Sequence, residues 1–191
     1  MKKIFAIAIL LAAGLAQAEG NYASLTFDQK DKQASTQMNY VYGLNVGQKF
    51  ADGWALEARM EDERVEPGAG ATQKQESLAQ IKGSHDWATG TIFTPYAAIA
   101  FGHKNKSTID FNFWLAEVGA KVKLNDTVGL RYGYRQRTAF DNNTTNSYDT
   151  TEQTVALGLN LTKKDNISIA YKEERGTSNY NTTGLYYTRN F

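Results

Sequence analysis

The chain has 191 residues, with 21 Lys and Arg against 20 Asp and Glu, 16 Gly, two Pro and no Cys. That charge balance gives no electrostatic footprint for nucleic acid or an anionic surface, and the lack of Cys excludes a disulfide framework and thiolate chemistry. Eleven Tyr, nine Phe and three Trp beside so few prolines suit long strands in one domain.

Residues 1–18 read as a cleaved secretory signal peptide. Lys2 and Lys3 precede an apolar run from Ile4 to Leu15, and Ala16-Gln17-Ala18 makes a small-x-small cleavage site before Glu19. The run is too short to span a membrane. Its removal leaves 19 basic against 20 acidic residues, so the mature chain, 19–191, is close to neutral. No later segment has eighteen consecutive apolar residues, which excludes a spanning helix but not a spanning barrel, whose strands show only period-two alternation.

The mature chain alternates throughout. Ala23, Leu25 and Phe27 share one face against Ser24, Thr26 and Asp28. Met38, Tyr40, Tyr42, Leu44 and Val46 oppose Asn39, Gly43, Asn45 and Gly47. A tight turn at 51–53 leads into Trp54, Leu56, Ala58 and Met60 against Glu57, Arg59, Glu61 and Glu63. Residues 66–74 are a loop by Pro and Gly content. The weakest strand is 76–85, where Ala79, Ile81 and Gly83 alternate with Gln80, Lys82 and Ser84.

After a turn holding Trp87, "TIFTPYAAIAFG" is a strand with two apolar faces, and "HKNKS" at 103–107 turns the chain. From Trp114 the alternation clears: Trp114, Ala116, Val118, Ala120 and Val122 oppose Glu117, Gly119, Lys121 and Lys123. Beyond the turn at 125–126, Val128, Leu130, Tyr132 and Tyr134 oppose Gly129, Arg131, Gly133, Arg135 and Arg137. A polar loop at 139–148 precedes Val155, Leu157, Leu159 and Leu161, set against Thr154, Ala156, Gly158 and Asn160. "KKDN" turns into Ile167, Ile169 and Tyr171 against Ser168, Ala170, Lys172 and Glu174. Leu185, Tyr187, Arg189 and Phe191 form the closing run.

The expectation is an all-β, antiparallel up-and-down barrel of about ten strands. Alternation alone does not say which face is outside. Small residues between charges suit a narrow lumen better than a solvated face. Tyr and Trp cluster at strand ends on the apolar face, as membrane-interface girdles do. Turns are short at one end, and most connections are longer and polar at the other. Together these favour a membrane barrel with its apolar face turned to lipid.

The ending resembles the closing strand of bacterial outer-membrane β-barrel proteins. That family's last strand ends in an aromatic residue with apolar residues at alternating positions, here Phe191, Tyr187 and Leu185, with Arg189 departing from the pattern. The resemblance implies an outer-membrane protein, set among its lipids and assembled by the barrel-assembly machinery through Phe191; a monomer is expected, and the near-neutral charge gives no reason to expect a nucleic-acid partner.

The lumen set is then Glu57, Arg59, Glu61, Glu63, Glu117, Lys121, Lys123, Arg131, Arg135, Arg137, Glu152, Lys172 and Glu174. Arg131, Arg135 and Arg137 form a basic ladder suited to anions. The acidic-sugar porins of the outer membrane are similar in architecture, with basic tracks in narrow barrels, though no motif is shared. Glu57, Glu61 and Glu63 are expected to face the ladder and neutralise it. His85 and His103 lack the Ser, Asp or metal-ligand spacing of a catalytic centre, so no catalytic, cofactor or metal residues are assigned. The expected function is a narrow channel for small polar or charged solutes. The alternative is a closed structural or adhesion barrel acting through its external loops.

Overall fold

The computed structural model describes residues 20–66, 74–106, 109–140 and 148–191. The predicted signal segment, 1–18, lies outside the described residues. Ten strands follow in order: β1 (Asn21–Lys32), β2 (Met38–Lys49), β3 (Trp54–Glu66), β4 (Lys74–Asp86), β5 (Phe93–Lys106), β6 (Ile109–Lys123), β7 (Val128–Ala139), β8 (Thr150–Asn160), β9 (Asp165–Gly176) and β10 (Tyr180–Asn190). Each pairs antiparallel with its sequence neighbours, and β10 pairs with β1 to close the barrel.

Closure is complete to the last residue. Arg189 sits opposite Ala23 and Asn190 opposite Tyr22, and the Phe191 amide donates to the Asn21 carbonyl at 2.9 Å. A barrel in hydrocarbon must satisfy its backbone this way, because an unpaired edge has no water to turn to.

The strand period decides the two surfaces. Leu25, Leu56, Ile81, Ile99, Phe101, Val118, Val155, Ile169 and Leu185 all point outward and are exposed. Meanwhile Asp28, Glu57, Glu63, Lys104, Arg137 and Glu152 are buried inside. This inverts the pattern of a water-soluble protein. On β6 the outward apolar run from Trp114 to Val122 covers eight steps of about 3.3 Å, roughly 26 Å along a tilted strand, close to the apolar band of outer-membrane barrels. Beyond the band the outward positions turn polar at Gln29, Asp62, Asn112, Gln136, Gln153 and Glu173.

The 76–85 segment is a full strand, β4, whose inward positions are Leu78, Gln80 and Lys82. Two predicted boundaries move. "HKNKS" is not a turn from residue 103: β5 runs through Lys106, because Lys104 is drawn into the lumen by two carboxylates. Strand β6 starts at Ile109, five residues before the clear alternation. Its first inward residues, Phe111, Phe113 and Leu115, are apolar and pack with Ala100, Ala139, Leu78 and Tyr148.

Candidate functional site

The lumen divides along its axis. Toward the end where β1 begins and β10 ends it opens into a chamber of about 710 Å³. Toward the opposite end it narrows to a void of about 50 Å³ inside a layer of paired charges.

The narrow layer is a belt that links alternate strands. Lys104 on β5 lies 3.0 Å from Glu63 on β3 and 3.1 Å from Glu76 on β4. Glu63 also accepts a 2.6 Å hydrogen bond from Asn39 and faces Lys30 on β1 at 3.5 Å. Lys30 reaches Glu174 on β9 at 3.8 Å, and Glu174 reaches Arg137 on β7 at 3.8 Å. The Arg137 guanidinium stands over Phe113 and Phe111 of β6, 5.6 and 5.9 Å from the ring centres. The ring of contacts thus closes on the apolar cluster rather than on another charge. Buried charges survive here because every carboxylate in the belt has a cationic partner.

Just below the belt, Asp28 accepts from Lys172 and from the Tyr186 hydroxyl, both at 2.6 Å. Arg59 pairs with Glu61 two residues along its own strand. Arg135 binds Glu152 at 2.5 Å.

The chamber wall has its own pairs. Glu57 accepts from Tyr22 and Lys82, both at 2.8 Å. Glu117 accepts from Tyr96 at 2.7 Å and pairs with Arg131, whose Nε donates to the Tyr96 hydroxyl at 2.9 Å. Lys121 reaches Asp86 at 2.5 Å. At the mouth, Lys123 hydrogen-bonds Asp126 at 2.6 Å, which holds that exposed carboxyl below the usual carboxylate range. The lining carries eight cationic side chains against four carboxylates, because the partners of Arg59, Lys123 and Lys172 lie outside the chamber and Lys49 binds the Asn190 amide oxygen.

Glycines make room for the inward rings. A Cβ on Gly47 would stand 2.5 Å from the Tyr22 ring. Gly119 and Gly133 are direct partners on β6 and β7, and Cβ atoms there would stand 2.6 and 2.5 Å from Tyr96 atoms. Each tyrosine therefore lies flat on the wall and turns its hydroxyl to a carboxylate. Gly129 and Gly158 carry no such ring, and their small size leaves the chamber open.

Glu57, Arg59, Glu61, Glu117, Lys121, Arg131, Arg135, Arg137, Lys172 and Glu174 all line the interior: Glu57, Glu117, Lys121 and Arg131 in the chamber, Glu61, Arg137 and Glu174 in the belt, and Arg59, Arg135 and Lys172 between the two. The expected partners of the basic ladder are corrected. Glu57, Glu61 and Glu63 do not neutralise it; Arg131, Arg135 and Arg137 pair with Glu117, Glu152 and Glu174. The register explains this. Glu117 and Glu152 are the direct cross-strand partners of Arg135, flanking β7 on both sides, whereas β3 lies across the barrel.

Residues absent from the predicted set but present at the site are Tyr22, Asp28, Lys30, Lys82, Tyr96 and Lys104. Asp28 and Lys82 carried a signal in the alternation; Lys104 was hidden in an apparent turn. Both histidines face outward. His85 sits between the Trp54 and Trp87 rings, at 4.7 and 4.8 Å, and His103 Nδ1 meets Asn112 at 3.0 Å. Among the described residues no group of three His, Cys, Asp or Glu is placed to hold a metal ion.

Ten strands closed without an edge, an apolar band outside and paired charges inside define a transmembrane β-barrel of the bacterial outer membrane. The chain belongs to the outer membrane protein beta-barrel domain family, which it matches over residues 4–161. Among curated proteins, none matches the sequence. Solved structures share the fold at low identity. An outer-membrane channel from Pseudomonas putida F1 is 10% identical, with a TM-score of 0.62, covering 92% of this chain and 97% of that one. The NanC porin is 10% identical, with a TM-score of 0.57 and coverage of 88% and 100%. The translocator domain of the autotransporter NalP from Neisseria meningitidis is 8% identical, with a TM-score of 0.54 and coverage of 100% and 95%.

Proposed function

We propose that this protein is a narrow outer-membrane channel for passive passage of small charged solutes, with a preference for anions. The observation that carries this is the 710 Å³ polar chamber, whose eight wall cations exceed by one its four wall carboxylates taken with Glu61, Asp28 and Asp126, the partners of Arg59, Lys172 and Lys123. A barrel that served only as a scaffold has no use for so large a polar space. Selection is electrostatic: a solute entering from outside meets the paired charges of the belt first, then Arg131, Lys121 and Lys49 on the chamber wall. No covalent chemistry is involved. The fold shared with a Pseudomonas channel and the NanC porin supports this reading.

The short turns at 50–53, 124–127 and 161–164 mark the periplasmic end, so the chamber faces the periplasm and the belt lies near the outer surface. The closed strand order leaves no free edge, and the protein acts as a monomer among outer-membrane lipids. It is delivered by the barrel-assembly machinery through the strand ending at Phe191.

A second reading, a closed barrel acting through its external loops, is favoured by the belt and the packed Phe111–Phe113 cluster. Liposome swelling separates the two. Refolded mature protein in liposomes is expected to admit small carboxylates and phosphate faster than small ammonium ions of equal size. Swelling no faster than that of protein-free liposomes contradicts the channel.

A further inference from the structure

Seven of the eight cations on the chamber wall have a carboxylate partner. Lys49 has none among the described residues. It ends β2 with its side chain on the chamber wall, and it is exposed. Its Nζ donates to Asn190 Oδ1 at 3.0 Å and stands 5.3 Å from the centre of the Tyr22 ring. The Asn190 amide is itself oriented, because its Nδ2 donates to the Lys164 carbonyl at 3.1 Å. A neutral amide oxygen and a ring face position an ammonium but bring no negative charge to cancel it. An ammonium has three donors, and among the described residues only one is taken.

The surroundings leave that charge standing. Glu57, on the neighbouring strand β3, is held by Lys82 and Tyr22, both at 2.8 Å. Lys121 on β6 and Asp86 on β4 are the charged groups that act on Lys49, and they pair with each other at 2.5 Å. On β8 to β10 the lower wall is Gly158, Asn160, Asn166, Ser168, Thr188 and Asn190, which carry no charge. One positive charge is thus fixed within reach of solvent at the periplasmic mouth, while the rest of the wall is balanced.

We propose that Lys49 is the specificity-determining residue of the chamber: its ammonium is the docking point for small anions at the periplasmic mouth, and it sets the preference for anions. Its part in selectivity rests on the channel reading. As a docking site it stands on the chamber alone.

The test is the reversal potential of the refolded mature barrel in a salt gradient. A fixed charge acts over about 10 Å at about 0.1 M salt and about 3 Å at about 1 M, so the anion preference should be clear in dilute salt and fade in concentrated salt. Lys49→Gln should bring the potential close to zero, Lys49→Glu should carry it to the cation side, and Lys49→Arg should keep it. Lys163→Gln changes an exposed lysine of the turn at the same end, off the chamber wall, and should leave it unchanged. A preference undiminished in Lys49→Gln, or an equal loss in Lys163→Gln, overturns the assignment.

Docking is read separately, without conduction. Acetate is titrated into the detergent-refolded barrel with isotope-labelled lysine side chains. The NMR signal missing from Lys49→Arg should shift more than those of Lys163 and Lys164, and a shift no larger than theirs overturns the site. A silent barrel whose Lys49 signal moves keeps the site and loses the channel. A conducting barrel whose Lys49 signal stays still keeps the channel and loses the site.

Discussion

Glu63 is the hub of the belt, and its removal has a predictable cost. The carboxylate is 6% exposed and takes hydrogen bonds or ion contacts from Asn39 at 2.6 Å, Lys104 at 3.0 Å and Lys30 at 3.5 Å. Breaking a buried pair by removing one partner costs about 3–5 kcal/mol, because the other charge is stranded. Here the stranding is partial: Lys104 keeps Glu76 at 3.1 Å and Lys30 keeps Glu174 at 3.8 Å. The low end of that range applies to the ions. The Asn39 amide adds roughly 1 kcal/mol for a lost acceptor. Glu63→Ala should therefore destabilise the barrel by about 3–4 kcal/mol. Glu63→Gln keeps an acceptor for Asn39 and should recover only that contribution, losing about 2–3 kcal/mol. The assay is reversible urea unfolding of the refolded barrel in lipid vesicles, followed by the shift of the folded band on an unheated gel. A change below about 0.5 kcal/mol for Glu63→Ala would be ordinary surface behaviour and would refute a tightly paired belt.

Three further outcomes follow from the same geometry. Gly119→Val places a side chain against the Tyr96 ring and the Tyr132 carbonyl, so Tyr96 must leave Glu117 and Arg131. Overpacking of this kind costs about 1–3 kcal/mol by the same unfolding assay, while Gly129→Ala, with its nearest atom at 3.5 Å, should be close to neutral. Replacing Arg131, Arg135 and Arg137 together with Gln leaves Glu117, Glu152 and Glu174 without these partners and should move the reversal potential in a salt gradient toward cations. An unchanged potential in a folded triple variant removes the arginines from selectivity. Deleting Phe191 removes the hydrogen bond to Asn21 at the seam. The yield of assembled barrel in cells should fall several-fold while refolding into detergent changes little; equal yields in cells dissociate Phe191 from assembly.

The parts legible in sequence were those where one face is apolar and the other polar. The hairpins built from 38–66, 114–137 and 155–174 alternate without a break, so their residues were assigned to the correct surface. Alternation fails where the lumen itself is apolar. Ala100, Phe111, Phe113 and Leu115 face inward beside outward Ile99, Phe101 and Trp114, and two apolar faces give no period. Lys104 was lost for a different reason: at a strand end rich in Lys and Asn, a residue that reaches inward to Glu63 looks like part of a turn.

Partnership was also beyond the sequence. The period says that Arg135 points inward, but only the register beside β6 and β8 brings it between Glu117 and Glu152. The division of the lumen into chamber and belt depends on which inward side chains lie at the same height around ten tilted strands. No single strand records that.

The most direct test is single-channel recording of the refolded mature chain in a planar bilayer. The account predicts discrete, reproducible and small conductance steps, limited by the belt, with a reversal potential on the anion side in a salt gradient. A protein that inserts and shows the folded gel band, yet gives no steps above the bare bilayer, contradicts it.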